Sequence, residues 1–160
     1  MKVREYKIPA DLRYTRGHEW ARITNEQIEI GITDFGQKLL KRILSIEIPE
    51  INKQIVASTQ FGTITRVQTD DDIDTMIDIC APVSGRVIRI NETIKAHPDL
   101  INKDPYRAGW LLRVKPSNLE REWEVLLPAN EYAIFVEEMS AILEELRTDF
   151  ERYEIRWNKI

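Results

Sequence analysis

The sequence predicts a mainly β domain followed by a helical C-terminal region. Two observations support this. Apolar and polar residues alternate with a period of two in several short segments before residue 116, and the spacing becomes helical from about residue 130. Many strands followed by helices is the order typical of a mainly β domain with appended helices. At 160 residues, 42% of them hydrophobic, the chain can bury a core without metal or disulfide staples.

Four short segments in the first two-thirds of the chain have the residue pattern of β-strands. They are 27–33, 44–48, 61–69 and 85–91. In the first, Ile28, Ile30 and Ile32 share one face of the strand. The period of two recurs in the second segment until Pro49 ends it. These segments predict the strands of one β domain.

Two short helices are predicted beside the strands. The first covers 34–40, with Asp34 placed to cap it. The second covers 117–127, where Ser117 and Glu120 have the spacing of a capping box. We expect the β domain, including this second helix, to span 1–128.

The remaining segment, 129–160, predicts one extended amphipathic helix. Its apolar residues recur at alternating spacings of three and four, as the stripe Val136, Met139, Leu143, Leu146, Phe150, Tyr153 and Trp157. Burial of each such side chain stabilises a protein by roughly 1.5–3 kcal/mol relative to leaving it exposed to water. The stripe therefore needs a cover, which is either the β domain itself, a second copy or another protein.

Composition excludes several classes of partner. The chain has 23 basic and 27 acidic residues, a net charge of −4, and no block of Lys and Arg, which argues against nucleic acid and membrane surfaces. No apolar run is long enough to span a membrane, and residues 1–12 lack the apolar stretch of a signal peptide. The single cysteine, Cys80, fits a reducing compartment, so we expect a cytoplasmic location.

No catalytic pattern is found. The two histidines, His18 and His97, lie far apart and form no spaced metal-ligand set with Cys80. Phosphate loops and nucleophile elbows are missing from the sequence. Cys80 follows an apolar stretch, which predicts a buried and inert thiol. We predict that the chain is not an enzyme.

One run of acidic residues stands out. Alternate aspartates such as Asp70, Asp72 and Asp74 can supply oxygen ligands to calcium, but the turn glycine and distal glutamate of the usual calcium loop are not at their positions. A solvated hairpin tip is the preferred interpretation, with calcium as the weaker alternative and no other metal expected.

Several separated motifs occur in the order found in one known family. They are Leu12-Arg13-Tyr14-Thr15, His18-Glu19-Trp20, Gly31-Ile32-Thr33-Asp34-Phe35, Ile46-Glu47-Ile48-Pro49-Glu50, Ala81-Pro82-Val83-Ser84-Gly85, the run from Pro98 to Tyr106, and Gly109-Trp110-Leu111. Over roughly residues 12–138, the chain resembles the glycine cleavage system H proteins.

The resemblance implies a barrel-sandwich hybrid fold of the lipoyl and biotinyl type. In this family, a lysine at a hairpin tip carries lipoate through an amide bond. The protein has no active site of its own, and it shuttles an aminomethyl group and electrons among the other glycine cleavage components. The resemblance thus implies lipoate as the family's cofactor and those components as partners. The apolar stripe of the C-terminal helix gives self-association as the alternative.

The lipoyl lysine has no counterpart in this sequence. Alignment on Val67 places Gln68 at the attachment position, and alignment backward from Ala81-Pro82 places Asp74 there. Residues 54–94 contain no lysine at all. Because neither glutamine nor aspartate has the primary amine that the lipoyl amide needs, we expect no lipoate on the hairpin.

Two further features bear on function. His18 and Glu19 match a family segment near the cleft that shelters the loaded arm, so they are candidate cleft residues. The alternative is that Trp20 is core while His18 and Glu19 are surface residues. Family members usually end near the position of Glu138, so the segment 139–160 is an extension.

Three functions follow as hypotheses. The first, which we prefer, is an H-protein-like binding or regulatory module without lipoate. The second is a lipoyl carrier, in glycine cleavage or a related sulfur-metabolism system, that is modified at a lysine outside the hairpin. The third is a small-ligand binder that uses the empty cleft, for which the sequence gives no positive sign.

Overall fold

The computed structural model describes residues 1–67 and 74–157, with the backbone alone for residue 150 and residues 153–157. The strands are β1 (Lys2–Val3), β2 (Tyr6–Lys7), β3 (Arg13–Tyr14), β4 (Glu19–Thr24), β5 (Gln27–Ile32), β6 (Ile43–Glu47), β7 (Gln54–Ile55), β8 (Gln60–Val67), β9 (Asp74–Cys80), β10 (Gly85–Ile90), β11 (Leu112–Pro116) and β12 (Leu127–Pro128). The helices are α1 (Asp34–Leu40), α2 (Thr93–Ala96), α3 (Leu100–Lys103), α4 (Leu119–Val125) and α5 (Ala129–Trp157).

The strands form antiparallel sheets. One has the order β12-β3-β4-β5-β11-β10-β7, a second has the order β6-β8-β9, and β1 pairs with β2 as a separate hairpin. The four strand segments predicted from the sequence correspond to β5, β6, β8 and β10. The prediction of a mainly β fold with a long C-terminal helix is confirmed.

The core has two parts that meet at β4 and β5. One lies between the two larger sheets and holds Ile28, Ile30 and Ile64, all almost fully buried. The other lies under α5 and holds Trp20 and Tyr132, both fully buried. Because the helix face closes the second part, α5 belongs to the folded domain over its first turns.

Helix α1 begins as predicted at Asp34, but its cap is Thr33. The Thr33 hydroxyl oxygen accepts the backbone N–H of Gly36 at 3.0 Å, which satisfies one of the free donors at the helix start. Asp34 is unavailable for capping, because its carboxylate accepts the backbone N–H of Lys7 and the side-chain amide of Gln37, both at 2.9 Å. The prediction that Asp34 caps the helix was therefore wrong.

The helix predicted at 117–127 is shorter at both ends. Helix α4 covers Leu119–Val125, and Asn118 at its N-cap makes no side-chain capping bond. Ser117 instead donates its backbone N–H to the carbonyl of Ser84 at 3.1 Å. At the other end, Leu127 pairs with Tyr14 in the large sheet and is buried there. Sheet pairing and burial stop the helix before the predicted end.

Helix α5 is covered along only part of its length. Val136 is fully buried and Met139 packs against the second part of the core. Among the residues of the helix whose side chains are described, Ser140 is the last buried one, and beyond it Leu143 and Leu146 are 40% and 60% exposed. In the described part of the chain, no helix is long and apolar enough to cross a membrane.

The N-terminal hairpin fastens α5 to the domain. Arg4, between β1 and β2, forms ion pairs with Glu137 at 3.1 Å and with Glu144. On the other side, the ring of Tyr6 meets Phe35 of α1 edge-on at 4.8 Å. The hairpin thus links α1 to the middle of α5.

Candidate functional site

The β8–β9 hairpin is described up to the pair Val67 and Asp74, which lie opposite each other. Asp74 is exposed and begins β9. The other attachment candidate, Gln68, lies outside the described residues, as do Asp70 and Asp72 of the possible calcium site. No group of three His, Cys, Asp or Glu residues suited to a metal occurs in the described ranges.

A cleft of about 250 Å³ lies between this hairpin and α1. Its lining is mainly apolar and includes Ile32, Leu39, Leu40, Ile64, Ile77 and Ile79. Polar residues also line it, from the loop before β4, from the start of β4 and from the hairpin, and they are His18, Glu19, Arg66 and Asp78. The structure therefore brings both predicted cleft residues, His18 and Glu19, to one cavity.

Glu19 is a buried carboxylic acid in the cleft wall. It is 4% exposed, and its Oε1 accepts the hydroxyl of Thr15 at 2.8 Å. Gly17 leaves room for it, since a Cβ there would lie 2.9 Å from the same oxygen. Burial raises the pKa of Glu19 to about 7, because the ionised form loses hydration. The interpretation of Glu19 as a surface residue was wrong.

His18 connects the cleft wall to α5. Its Nδ1 lies 2.9 Å from the hydroxyl of Tyr132, which in turn lies 2.8 Å from the hydroxyl of Thr33. Its ring packs edge-on against Phe35 with 4.8 Å between centroids. Burial lowers the pKa of His18 to about 4, so the imidazole is neutral at pH 7.

Trp20 is a core residue, as one sequence interpretation held. Its indole N–H is shared between the carbonyls of Ile32 at 3.0 Å and Pro105 at 3.1 Å. Gly31 lies flat against the ring, where a Cβ would come within 2.4 Å of Trp20 Cε2. In the motif His18-Glu19-Trp20, one residue thus builds the core and two form the cleft wall.

Arg66 is a cleft residue that sequence reasoning missed. On β8 it shares the inward face with Gly62 and Ile64, which are both buried. Its Nη1 donates to the carbonyl of Leu39 at 3.1 Å, while its buried Nε has no hydrogen-bond partner among the described residues. The period of two that places Ile64 inward also places Arg66 inward, and this was the signal available in the sequence.

A second, larger cleft of about 450 Å³ contains Cys80. Cys80 is half-buried rather than fully buried as predicted, and partial burial raises the pKa of its thiol. On the same cleft, the carboxylate of Glu122 accepts the backbone N–H and the hydroxyl of Ser84 at 2.8 and 2.7 Å. A thiol with a raised pKa is a poor nucleophile at neutral pH.

Comparison with known proteins gives a consistent result. Residues 12–139 match the glycine cleavage H-protein family. The glycine cleavage system H protein of Geobacillus kaustophilus is 38% identical over 130 residues, which are 81% of this chain and 97% of that protein. The glycine cleavage system H protein of Carboxydothermus hydrogenoformans is 40% identical over 131 residues, covering 82% of this chain and 95% of that protein.

A solved structure agrees with these sequences. The crystal structure of a glycine cleavage system H protein from Mycobacterium marinum superposes with a TM-score of 0.65 at 30% identity, covering 79% of this chain and 96% of that chain. The matched range stops at residue 139, so the outer part of α5 and the hairpin at residues 1–7 lie beyond it. H proteins are non-catalytic carriers, and by sequence and structure this chain belongs to the glycine cleavage H-protein family.

Proposed function

We propose that this H-protein family member is a non-catalytic binding module that carries no lipoate on its β8–β9 hairpin. The observation that carries the proposal is chemical. Residues 54–94, which contain the whole hairpin, include no lysine. A lipoyl amide needs a primary amine, and neither Gln68 nor Asp74 has one. The module would have no resident cofactor, and we place it in the cytoplasm.

The charge in the cleft supports the same proposal. An aminomethyl group on a carrier arm is a cation at neutral pH. Arg66 places a positive charge inside the cleft, and like charges in a partly desolvated site repel each other. Glu19 and Asp78 line the same cleft and would attract such a load, so Arg66 weakens this attraction and favours an empty cleft over a loaded one.

The alternative is a lipoyl carrier that is modified outside the hairpin. Lys41 is the first lysine to consider, because it is exposed and its neighbour Arg42 accepts the backbone N–H of Val67 at 3.1 Å. Lys41 thus stands beside the end of the hairpin strands that leads into residues 68–73. If an arm is attached anywhere near the cleft, this position is the one favoured by geometry.

Lipoylation in vitro separates the two functions. We would incubate the protein with a lipoate ligase, lipoate and ATP, and record the intact mass, with the Geobacillus kaustophilus H protein as the positive control. We expect no mass increase for this protein or for its Lys41→Arg variant. An increase that Lys41→Arg abolishes would replace the proposal with the carrier function.

Variants that restore an amine serve as a test of the hairpin itself. Gln68→Lys and Asp74→Lys place a lysine at each of the two candidate attachment positions. We expect at most one of them to gain a lipoyl group, which would identify the equivalent position. Modification of the unaltered protein to the same extent as either variant would contradict the proposal.

For the partner, we infer that it docks on the outer half of α5. Leu143 and Leu146 continue the apolar stripe where the domain no longer covers it, and the sequence extends the stripe through Phe150, Tyr153 and Trp157. A second copy of this chain and the glycine cleavage components are the two candidate partners. Both would bury this stripe.

A double variant tests this surface. We expect the double variant Leu143→Ser with Leu146→Ser to weaken binding at least about tenfold. The binding measured is self-association in light scattering, or association with purified glycine cleavage components. Ile134→Ser is the matched control, since Ile134 is 61% exposed on another face of the same helix. Equal binding by the double variant and the control would show that the stripe is not the docking surface.

A further inference from the structure

Arg66 has an unusual setting for a cation. It occupies an inward position on β8, it is half-buried, and its one hydrogen bond within the described residues is to the neutral carbonyl of Leu39. Among the described residues it forms no ion pair, although Glu19 and Asp78 line the same cleft. Cations withdrawn from water are usually paired with an anion, because the loss of hydration is costly. Within the described part of the chain Arg66 therefore lacks an anionic partner, and an anionic ligand in the cleft would supply one.

The side chains around Arg66 indicate the size and the apolar character of the rest of the ligand. The side chains beside it are aliphatic and come from α1, β5, β8 and β9, including Leu40 and Ile79. A volume of about 250 Å³ is below the roughly 300–1,000 Å³ of pockets for drug-sized ligands. The space suits a small ligand with a hydrocarbon body.

We propose that this cleft binds a small aliphatic carboxylate without a covalent bond, with the carboxylate on the Arg66 guanidinium and the hydrocarbon chain between α1 and the hairpin. A guanidinium pairs with carboxylates in a fixed planar geometry, so Arg66 selects an acid over a neutral ligand of the same shape. The inference rests on the proposed function, since a covalent lipoyl arm would compete for the same cleft.

The cleft also has two acidic residues, and these would favour a cationic ligand over a carboxylate. Asp78 is exposed, and its Oδ1 already accepts the side-chain amide of Gln60 at 2.8 Å. Glu19 is buried, and its pKa of about 7 leaves it largely protonated below neutral pH. A ligand that bears an amine would use Glu19, whereas a carboxylate uses Arg66. Binding experiments must therefore compare an anionic ligand with a cationic ligand of the same length.

Calorimetric titration at pH 6.5 with three eight-carbon probes provides the test. The probes are octanoate, octanamide and octylamine, which share a chain length and differ in charge. We expect octanoate to bind at least about tenfold more tightly than octanamide or octylamine. We expect Arg66→Gln to weaken octanoate binding about tenfold or more, with partial recovery in Arg66→Lys.

Arg86→Gln is the matched control, because Arg86 lies on β10 and donates to Asn52 at 3.0 Å, away from the cleft. It should bind octanoate as the unaltered protein does. Unaltered thermal melting of Arg66→Gln would show that its loss of binding is not a loss of fold. Octylamine binding tighter than octanoate, equal octanoate affinity in Arg66→Gln, or no octanoate binding at its solubility limit would each overturn the inference.

The intact mass of the titrated sample keeps this result separate from the proposed function. A lipoylated sample would contradict the proposed function, whatever the titration gives. An unmodified sample that fails to bind octanoate would overturn the carboxylate site alone.

Discussion

The two halves of α5 have the same apolar period and opposite surroundings. In the inner half, Tyr132 stacks on Tyr14 with 4.4 Å between ring centroids, and Val136 is fully buried. In the outer half, Leu143 and Leu146 lie at successive stripe positions and remain exposed. The comparison teaches that helical spacing predicts which face of a helix is apolar, whereas the long-range fold decides what covers that face.

The largest expected difference between the two halves of α5 is in how much a substitution lowers the free energy of unfolding. Tyr132→Ala removes a fully buried ring, so we expect it to lower the free energy of unfolding by about 3–5 kcal/mol. Leu146→Ala in the outer half should change it by less than about 0.5 kcal/mol. Urea denaturation of both variants measures the difference. Similar losses for the two would mean that the outer half packs as tightly as the inner half.

The next effect concerns the cleft wall and depends on pH. Burial lowers the pKa of His18 from 6.5 to about 4, so the unfolded chain binds a proton first as the pH falls, and stability decreases from about pH 6.5 to pH 4. Burial raises the pKa of Glu19 from 4.5 to about 7, so stability decreases as the pH rises across that range. In the unaltered protein these opposing slopes largely cancel.

Replacing either residue alone should reveal the pH dependence of stability that the other residue contributes. Relative to the unaltered protein, His18→Gln should lose stability by roughly 3 kcal/mol between pH 4.5 and 7, because the Glu19 contribution remains. Glu19→Gln should lose a similar amount between pH 6.5 and 4, because the His18 contribution remains. Urea denaturation across this pH range is the measurement. Parallel pH profiles for the two variants would contradict the assigned burial of these groups.

The smallest effect concerns the link between the N-terminal hairpin and α5. Arg4 pairs with Glu137 and Glu144, so Arg4→Gln should loosen the helix where the pairs lie. We expect faster amide exchange at 141–149 and unchanged exchange at 129–136. Arg86→Gln serves again as the control for loss of a surface arginine. A uniform rise in exchange along α5 would show that Arg4 supports the whole domain instead.

The sequence predicted the elements that depend on local pattern. The alternation around Ile28 and Ile30 predicted β5, and the helix at Asp34–Leu40 was predicted with its bounds. The errors came from long-range contacts. Asp34 does not cap its helix because Lys7 uses its carboxylate, and Leu127 ends α4 because it pairs with Tyr14.

The candidate site was predicted only in part for the same reason. His18 and Glu19 were identified through their motif, but the burial of Glu19 depends on contacts that local pattern does not specify. Arg66 was missed although its inward position follows from the period of β8. Its significance appears only when α1 closes the cleft opposite it.

The central claim is that the protein carries no lipoate, and the intact mass of the protein purified from its native host tests it most directly. The account predicts the mass of the unmodified chain, 18.8 kDa. An added lipoyl mass, located by peptide mapping to a lysine such as Lys41, would contradict the account and establish the chain as a carrier.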